Sequence, residues 1–284
     1  MMATPQTGAL ADARTLLFVP GHRPERFAKA LASGADAVVI DLEDAVPPDQ
    51  KAAARAAIQA AWAGLQGAGV PIVIRLNQTR SEWGGDDRAA VAALVPPPGG
   101  LMLPKAESAA DLQAARAAVP GVALLPLIES AQGLEALRDI AAAEGVLRLV
   151  VGHIDFMADT GLRCSPDERE LGPLRFAVAM QTRLHLLAPA IDGVTTAIDD
   201  AERLRTDTQR ALNFGFGGKL CIHPRQVATV HEAMVPSAEE VAWAQRVVAA
   251  DEAAGGAAVQ LDGRMVDRPV VLQARSLLAR VPGQ

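Results

Sequence analysis

The sequence predicts an α/β protein folded as a closed (β/α)8 TIM barrel with a C-terminal helical or flap extension. Three observations carry that prediction. Eight apolar runs of strand length alternate with longer amphipathic stretches. In those stretches the apolar residues recur three and four apart, which is the helical period. Alternation of this kind makes right-handed crossovers and a parallel sheet. The 284 residues also suit one barrel of about 250 residues followed by a tail. An open doubly wound sheet of eight units is the competing arrangement.

The expected strands lie at residues 15–20, 37–44, 71–77, 100–107, 123–130, 147–156, 191–198 and 218–224. Each is bounded by Gly, Pro or charged residues. The expected helices lie at 24–33, 50–66, 109–119, 133–143, 173–187 and 200–214. Residues 1–12 read as loose chain. Gly215, Gly217 and Gly218 are expected to end the helix before the last strand. In the tail, Ser237 and Glu240 have capping-box spacing and open a helix through about Ala250. Gly255 and Gly256 break it. A strand-like piece at 257–265 and a helix at 269–279 follow. The domain expectation is a catalytic barrel at 1–235 and an extension at 236–284, packing on the barrel or on a neighbouring subunit.

Composition narrows the function. Lys and Arg number 27 against 33 Asp and Glu, a net charge of −6 with no basic run, which disfavours nucleic acid. Aromatics are 3% with no Tyr, so there is no stacking platform for single strands. The two cysteines, Cys164 and Cys221, suit a reducing compartment and are too few for a disulfide framework or a zinc site. No leader pattern and no membrane-length apolar run is present. A cytoplasmic, soluble enzyme is the expectation.

In a parallel barrel the C-terminal strand ends face the active site. All eight expected ends carry an ionisable residue, including Arg23, Asp41, Glu43, Asp44, Arg75, Lys105, Glu107, Glu129, Asp155, Asp199, Asp200 and His223. Glu129 and Asp155 supply hard oxygens on adjacent strands and suit Mg²⁺. The plainer readings are a partner for an arginine such as Arg75, and a helix cap. Arg75 follows an apolar run and needs a partner. It reads either as a substrate contact or as an ion pair with Asp41, Glu43 or Asp44. Lys105 and Glu107 read as a structural pair. His223 reads equally as a substrate contact or a barrel cap.

Longer stretches carry a family resemblance. They are the run from Leu17 to Phe27, Asp41-Leu42-Glu43-Asp44-Ala45-Val46, Leu103-Pro104-Lys105-Ala106-Glu107-Ser108, Pro126-Leu127-Ile128-Glu129-Ser130 and Gly218-Lys219-Leu220-Cys221-Ile222-His223-Pro224. Together and in this order they resemble the citrate lyase β-subunit-like branch of the HpcH/HpaI aldolase family. The resemblance implies a TIM barrel that assembles into trimers or hexamers. It implies Mg²⁺-dependent cleavage or formation of a carbon–carbon bond in 3-hydroxyacyl-CoA thioesters, with an acyl-CoA and a small 2-oxo acid as the other side of the reaction. By the same resemblance Glu129 and Asp155 are the metal ligands and Arg75 contacts the reacting substrate. Phe18, Arg23, Lys29, Ile154, Ile222 and His223 are the coenzyme A and substrate contacts. Asp267 is the acid/base brought by a neighbouring subunit's tail, and it also reads as the N-cap before Pro269. The competing functions are a coenzyme-A-independent Mg²⁺ aldolase for pyruvate-type substrates and a non-catalytic subunit of a larger lyase complex.

Overall fold

The computed structural model describes residues 5–281. Eight parallel strands close on themselves: β1 (Thr15–Pro20), β2 (Ala37–Asp41), β3 (Ile72–Arg75), β4 (Gly100–Leu103), β5 (Ala123–Ile128), β6 (Val150–Val151), β7 (Ile191–Asp192) and β8 (Gly218–Cys221). Neighbours pair in sequence order, and β8 returns to β1 through Leu16 opposite Leu220. Closure removes both sheet edges and excludes the open-sheet alternative. Alternate strand residues point inward, so Leu16, Val39, Val73, Met102, Leu125, Val150, Ile191 and Leu220 form one cluster on the barrel axis.

Eleven helices lie in or directly after the barrel: α1 (Pro5–Asp12), α2 (Phe27–Leu31), α3 (Lys51–Leu65), α4 (Gly84–Ala92), α5 (Ala109–Ala118), α6 (Ala131–Glu135), α7 (Leu137–Ala142), α8 (His153–Thr160), α9 (Gly172–Leu184), α10 (Ala201–Asn213) and α11 (Arg225–Met234). The N-terminal residues correct the expectation of loose chain. Pro5–Asp12 is helical, and Leu10 is fully buried in the barrel cluster. Residues 1–4 lie outside the described residues. Gly100 makes room for this helix, because a Cβ there would sit 2.9 Å from both Leu10 and Leu125. At that same end Arg148, wholly buried, donates from Nε to Pro189 O (2.6 Å) and from Nη1 to Leu10 O (3.1 Å) and Ala13 O (2.5 Å).

The chain divides into two compact units, Met1–Val230 and His231–Gln284. The second contains α12 (Ala238–Ala253), an antiparallel hairpin of β9 (Val259–Leu261) and β10 (Arg264–Val266), and α13 (Arg268–Leu278). The strand-like piece is therefore two strands, turned at Asp262 and Gly263, both at positive φ. Val247, Val266, Val271 and Ala274 form a small core of their own. Among the described residues, no helix is long and apolar enough to cross a membrane.

Candidate active site

Several expected strands end early, and that decides where the chemistry sits. Residues 147–156 do not form one strand. β6 stops at Val151, Gly152 caps α8, and Asp155 stands in the first turn of that helix. β7 stops at the buried Asp192, so Asp199 and Asp200 are not its end; Asp200 instead accepts Arg203 N–H (2.9 Å) as the cap of α10. A buried carboxylate at a strand end and a polar helix cap share residue types, which is why the sequence merged them.

Arg75, the last residue of β3, is clamped on several sides. Nε and Nη2 donate to the two oxygens of Asp41 at 2.7 and 2.6 Å. Nη1 lies 2.8 Å from Glu43 Oε2 and 3.8 Å from Asp44. The Phe18 ring centroid is 4.8 Å from the guanidinium carbon, a cation–π contact. Burial opposes the charge of Arg75, but Asp41 and Glu43 outweigh it and raise its pKa. The ion-pair reading of Arg75 is therefore correct, and Arg75 also faces the central cavity.

Lys105 does not pair with Glu107, which accepts from Ser130 Oγ instead (2.9 Å). Its Nζ donates to Glu43 (3.2 Å) and lies 3.6 Å from Asp155. Its backbone adopts φ 45°, a conformation uncommon outside glycine, and its N–H donates to Glu129 Oε1 (2.7 Å). Glu129 Oε2 lies directly against Gly152, where a Cβ would overlap it. Burial pushes the Glu129 carboxyl well up, and Glu43 and Asp155 add to the effect. Glu43 is likewise raised to about 7 by burial, with Arg75 opposing. Glu43 was legible as a partner for Arg75, but the place of Lys105 against Glu43, Asp155 and Glu129 was not. The left-handed backbone of Lys105 leaves no mark in residue type.

Asp41, Asp44, Arg75, Glu129 and Asp155, with Lys105 and Glu43 behind them, line a cavity of about 460 Å³ at the C-terminal strand ends, within the roughly 300–1,000 Å³ usual for small-molecule sites. It brings together Phe18, Arg75, Glu129, Ile154, Asp155 and Ile222. It does not bring in the other four expected residues. Arg23 donates to Glu25 at the surface (2.6 Å), Lys29 is exposed on α2, and His223 Nδ1 accepts Arg225 N–H (3.2 Å). Asp267 belongs to the second unit, where it accepts Val270 N–H (3.3 Å) as the cap of α13. A smaller cavity of about 250 Å³, beside Trp62 and Leu65, has no ionisable lining.

The site fits a hard divalent cation. Buried carboxyls with raised pKa, crowded by like charge, are those a cation relieves. Among the described residues no group of three His, Cys, Asp or Glu side chains is gathered to enclose a metal. Glu129 and Asp155 thus supply two carboxylates, the number with which Mg²⁺ often binds while keeping waters and substrate oxygens.

The chain resembles known proteins along nearly its whole length. The sequence model of a family described as HpcH/HpaI aldolase/citrate lyase matches residues 14–224. A citrate lyase subunit beta-like protein of Deinococcus radiodurans is 36% identical, covering 94% of this chain and 96% of its own. A (3S)-malyl-CoA thioesterase of Cereibacter sphaeroides is 33% identical, covering 94% of each. The crystal structure of CitE from Mycobacterium tuberculosis, in complex with magnesium, acetoacetate and coenzyme A, superposes with a TM-score of 0.84. It is 34% identical, over 95% of this chain and 98% of that one.

Proposed function

The chain belongs to the HpcH/HpaI aldolase/citrate lyase family and is a lyase, and from that premise we propose that it cleaves or forms 3-hydroxyacyl-CoA thioesters of the citryl-, malyl- or citramalyl-CoA type with Mg²⁺. The observation that carries this reading is the placement of Glu129 and Asp155 in one cavity with the clamped Arg75. Glu129 and Asp155 would hold the ion, which when bound supplies Lewis acidity toward the substrate's hydroxyl and carboxylate oxygens.

The protein's own groups supply the rest. In cleavage the substrate hydroxyl loses its proton and becomes the carbonyl of the 2-oxo acid. The electron pair of the broken carbon–carbon bond passes to the thioester α-carbon, which takes up a proton. Arg75, fixed by Asp41 and Phe18, offers preorganised positive charge to the reacting oxygens. Lys105 holds Glu129 through its N–H and Asp155 through its Nζ, and Glu43 anchors that Nζ. Asp267 of a neighbouring copy moves the α-carbon proton, which requires a trimer or hexamer. Phe18 and Ile222 line the acyl and pantetheine path, Ile154 meets the 2-oxo acid, and Arg23, Lys29 and His223 meet the nucleotide end of coenzyme A.

The test pairs acetyl- or propionyl-CoA with glyoxylate, pyruvate or oxaloacetate in Mg²⁺, with products read by mass spectrometry. EDTA and Glu129→Gln are the control arms. Product that vanishes in both arms supports the reading, whereas full activity of Glu129→Gln at low Mg²⁺ sinks the metal role. The thioesterase name of one relative gives a second reading, hydrolysis of the thioester, so release of free coenzyme A thiol is followed in the same samples.

A further inference from the structure

The central cavity continues past Ile154. A second cavity of about 550 Å³ lies on the β6–β7 side, and His153, Ile154, Val194 and Thr196 line both. Its outer wall comes from the loop at residues 161–171 and the start of α10. We propose that this side cavity receives the substituent on the carbonyl carbon of the 2-oxo acid, and that it selects an uncharged alkyl or hydroxyalkyl group over a carboxylate. The inference rests on the lyase reading and names the substrate class of that same site.

Position is the first argument. An oxo acid held at Glu129 and Asp155 meets Arg75 with its carboxylate partners and Phe18 on the β1–β3 side, which is filled by contacts already made. The direction left open runs along the first turn of α8 past Ile154, which is 42% exposed.

The second argument is the charge of the walls. Arg203 is the cation there, and its guanidinium is spent. Nη1 donates to Pro166 O (2.6 Å), Nη2 to Glu168 (2.7 Å), and Nε lies 2.9 Å from Asp207. Asp207 also accepts from Thr195 Oγ1 (2.8 Å), which occupies that hydroxyl proton. Glu168 and Asp207 already take up Arg203, so a distal carboxylate would be desolvated on this wall with no cation of its own. The remaining lining is Ile154, Met157, Cys164, Pro166, Val194 and Ala197, with the His153 ring, the Thr196 hydroxyl, and the hydroxyls of Ser165 and Thr195 already given to carboxylates. Such a surface accepts methylenes and one hydroxyl.

The third argument is rigidity. Glu168 adopts φ 51° and is gripped by Arg175 (2.8 Å), Arg203 (2.7 Å) and Arg210 (2.7 Å). A residue held in that conformation by three cations fixes its loop. A fixed wall discriminates by size and charge rather than adapting to each acid.

The experiment measures kcat/KM of the Mg²⁺-loaded protein with acetyl- or propionyl-CoA and, in turn, glyoxylate, pyruvate, 2-oxobutyrate, 2-oxovalerate and oxaloacetate. The expected result is that 2-oxobutyrate or 2-oxovalerate matches or exceeds pyruvate and exceeds oxaloacetate by about tenfold or more. Filling the side cavity by Ala197→Phe, or from the opposite wall by Cys164→Met, lowers the longer acids relative to pyruvate by a similar factor. Turnover of pyruvate without the longer acids, preference for oxaloacetate, or an equal loss on every acid in both variants overturns this inference and leaves the lyase reading standing. No product from any acid, glyoxylate and pyruvate included, overturns the lyase reading and this inference with it.

Discussion

Arg75 shows how one side chain takes on both structural and chemical work. Its fork matches the Asp41 carboxylate in a bidentate pair, a geometry that a lysine ammonium cannot copy. Arg75→Lys is therefore expected to fold and to lose roughly 10²- to 10³-fold in kcat, the usual loss for a preorganised donor. Steady-state kinetics with circular dichroism checks it. Gly152 is the silent counterpart. A Cβ there overlaps Glu129 Oε2, so Gly152→Ala should weaken Mg²⁺ binding in calorimetry while its secondary structure is kept. The carboxyls also set a pH dependence. The Glu43 and Glu129 pKa values are raised by burial, so protonation favours the folded state. The contribution of Glu43 is fully present below the unfolded value near 4.5 and is lost as pH rises through about 7, and that of Glu129 is lost in the same direction. In EDTA, denaturation midpoints should fall from pH 5 to 8, and Glu43→Gln should flatten that fall. Asp192 moves the opposite way: burial would raise its pKa, but Lys219 and Arg175 lower it. Its contribution is present above the ordinary carboxylate pKa of about 4 and is lost only below that, outside the window measured.

At the scale of elements, local signals were read well wherever they were chemical. The Ser237 cap is an example. Its hydroxyl accepts Glu240 N–H (3.2 Å), and the Glu240 carboxylate accepts Ser237 N–H (2.8 Å). Ser237→Ala should cost about 1 kcal/mol of stability, read in the denaturation of the intact chain. β1 is legible to the residue because Thr15 through Pro20 is a largely apolar run between Arg14 and Gly21. β6 is not, because Ile154 and Phe156 alternate with His153 and Asp155 as a strand would. The helix there begins for a tertiary reason, the close approach of Glu129 to Gly152. α1 was missed on the same ground: its buried face is largely Leu10, too little to make a periodic signal. α4 was missed because its first turn, rich in Gly and Asp, reads as loop.

Across the whole barrel, the two ends do different work. The C-terminal end gathers charge into a cavity, and the N-terminal end is sealed by Leu10 and Arg148. Burial lowers the Arg148 pKa to about 10, which leaves it charged at neutral pH. Its guanidinium satisfies the carbonyls of Pro189 and of the buried Leu10 and Ala13. Arg148→Met strands those acceptors at a cost of roughly 1–3 kcal/mol each. The variant should unfold at markedly lower denaturant while its folded fraction keeps the parent kcat, since the site lies at the other end. Activity lost in proportion beyond the unfolded fraction would contradict that separation.

The sequence by itself determined the parallel barrel and the order of its strands, and it singled out Arg75, Glu129 and Asp155, which line one cavity. Periodicity, strand-end polarity and motif order are local properties, written in residue type and spacing. Tertiary structure alone decided that Lys105 turns its N–H onto Glu129, that Glu43 stands between Arg75 and Lys105, and that a second cavity opens behind Ile154. Those facts depend on backbone angle and on which strands lie side by side at a given height. Residues 62 positions apart meet there, as Lys105 and Glu43 do, and no spacing rule along the chain encodes that distance.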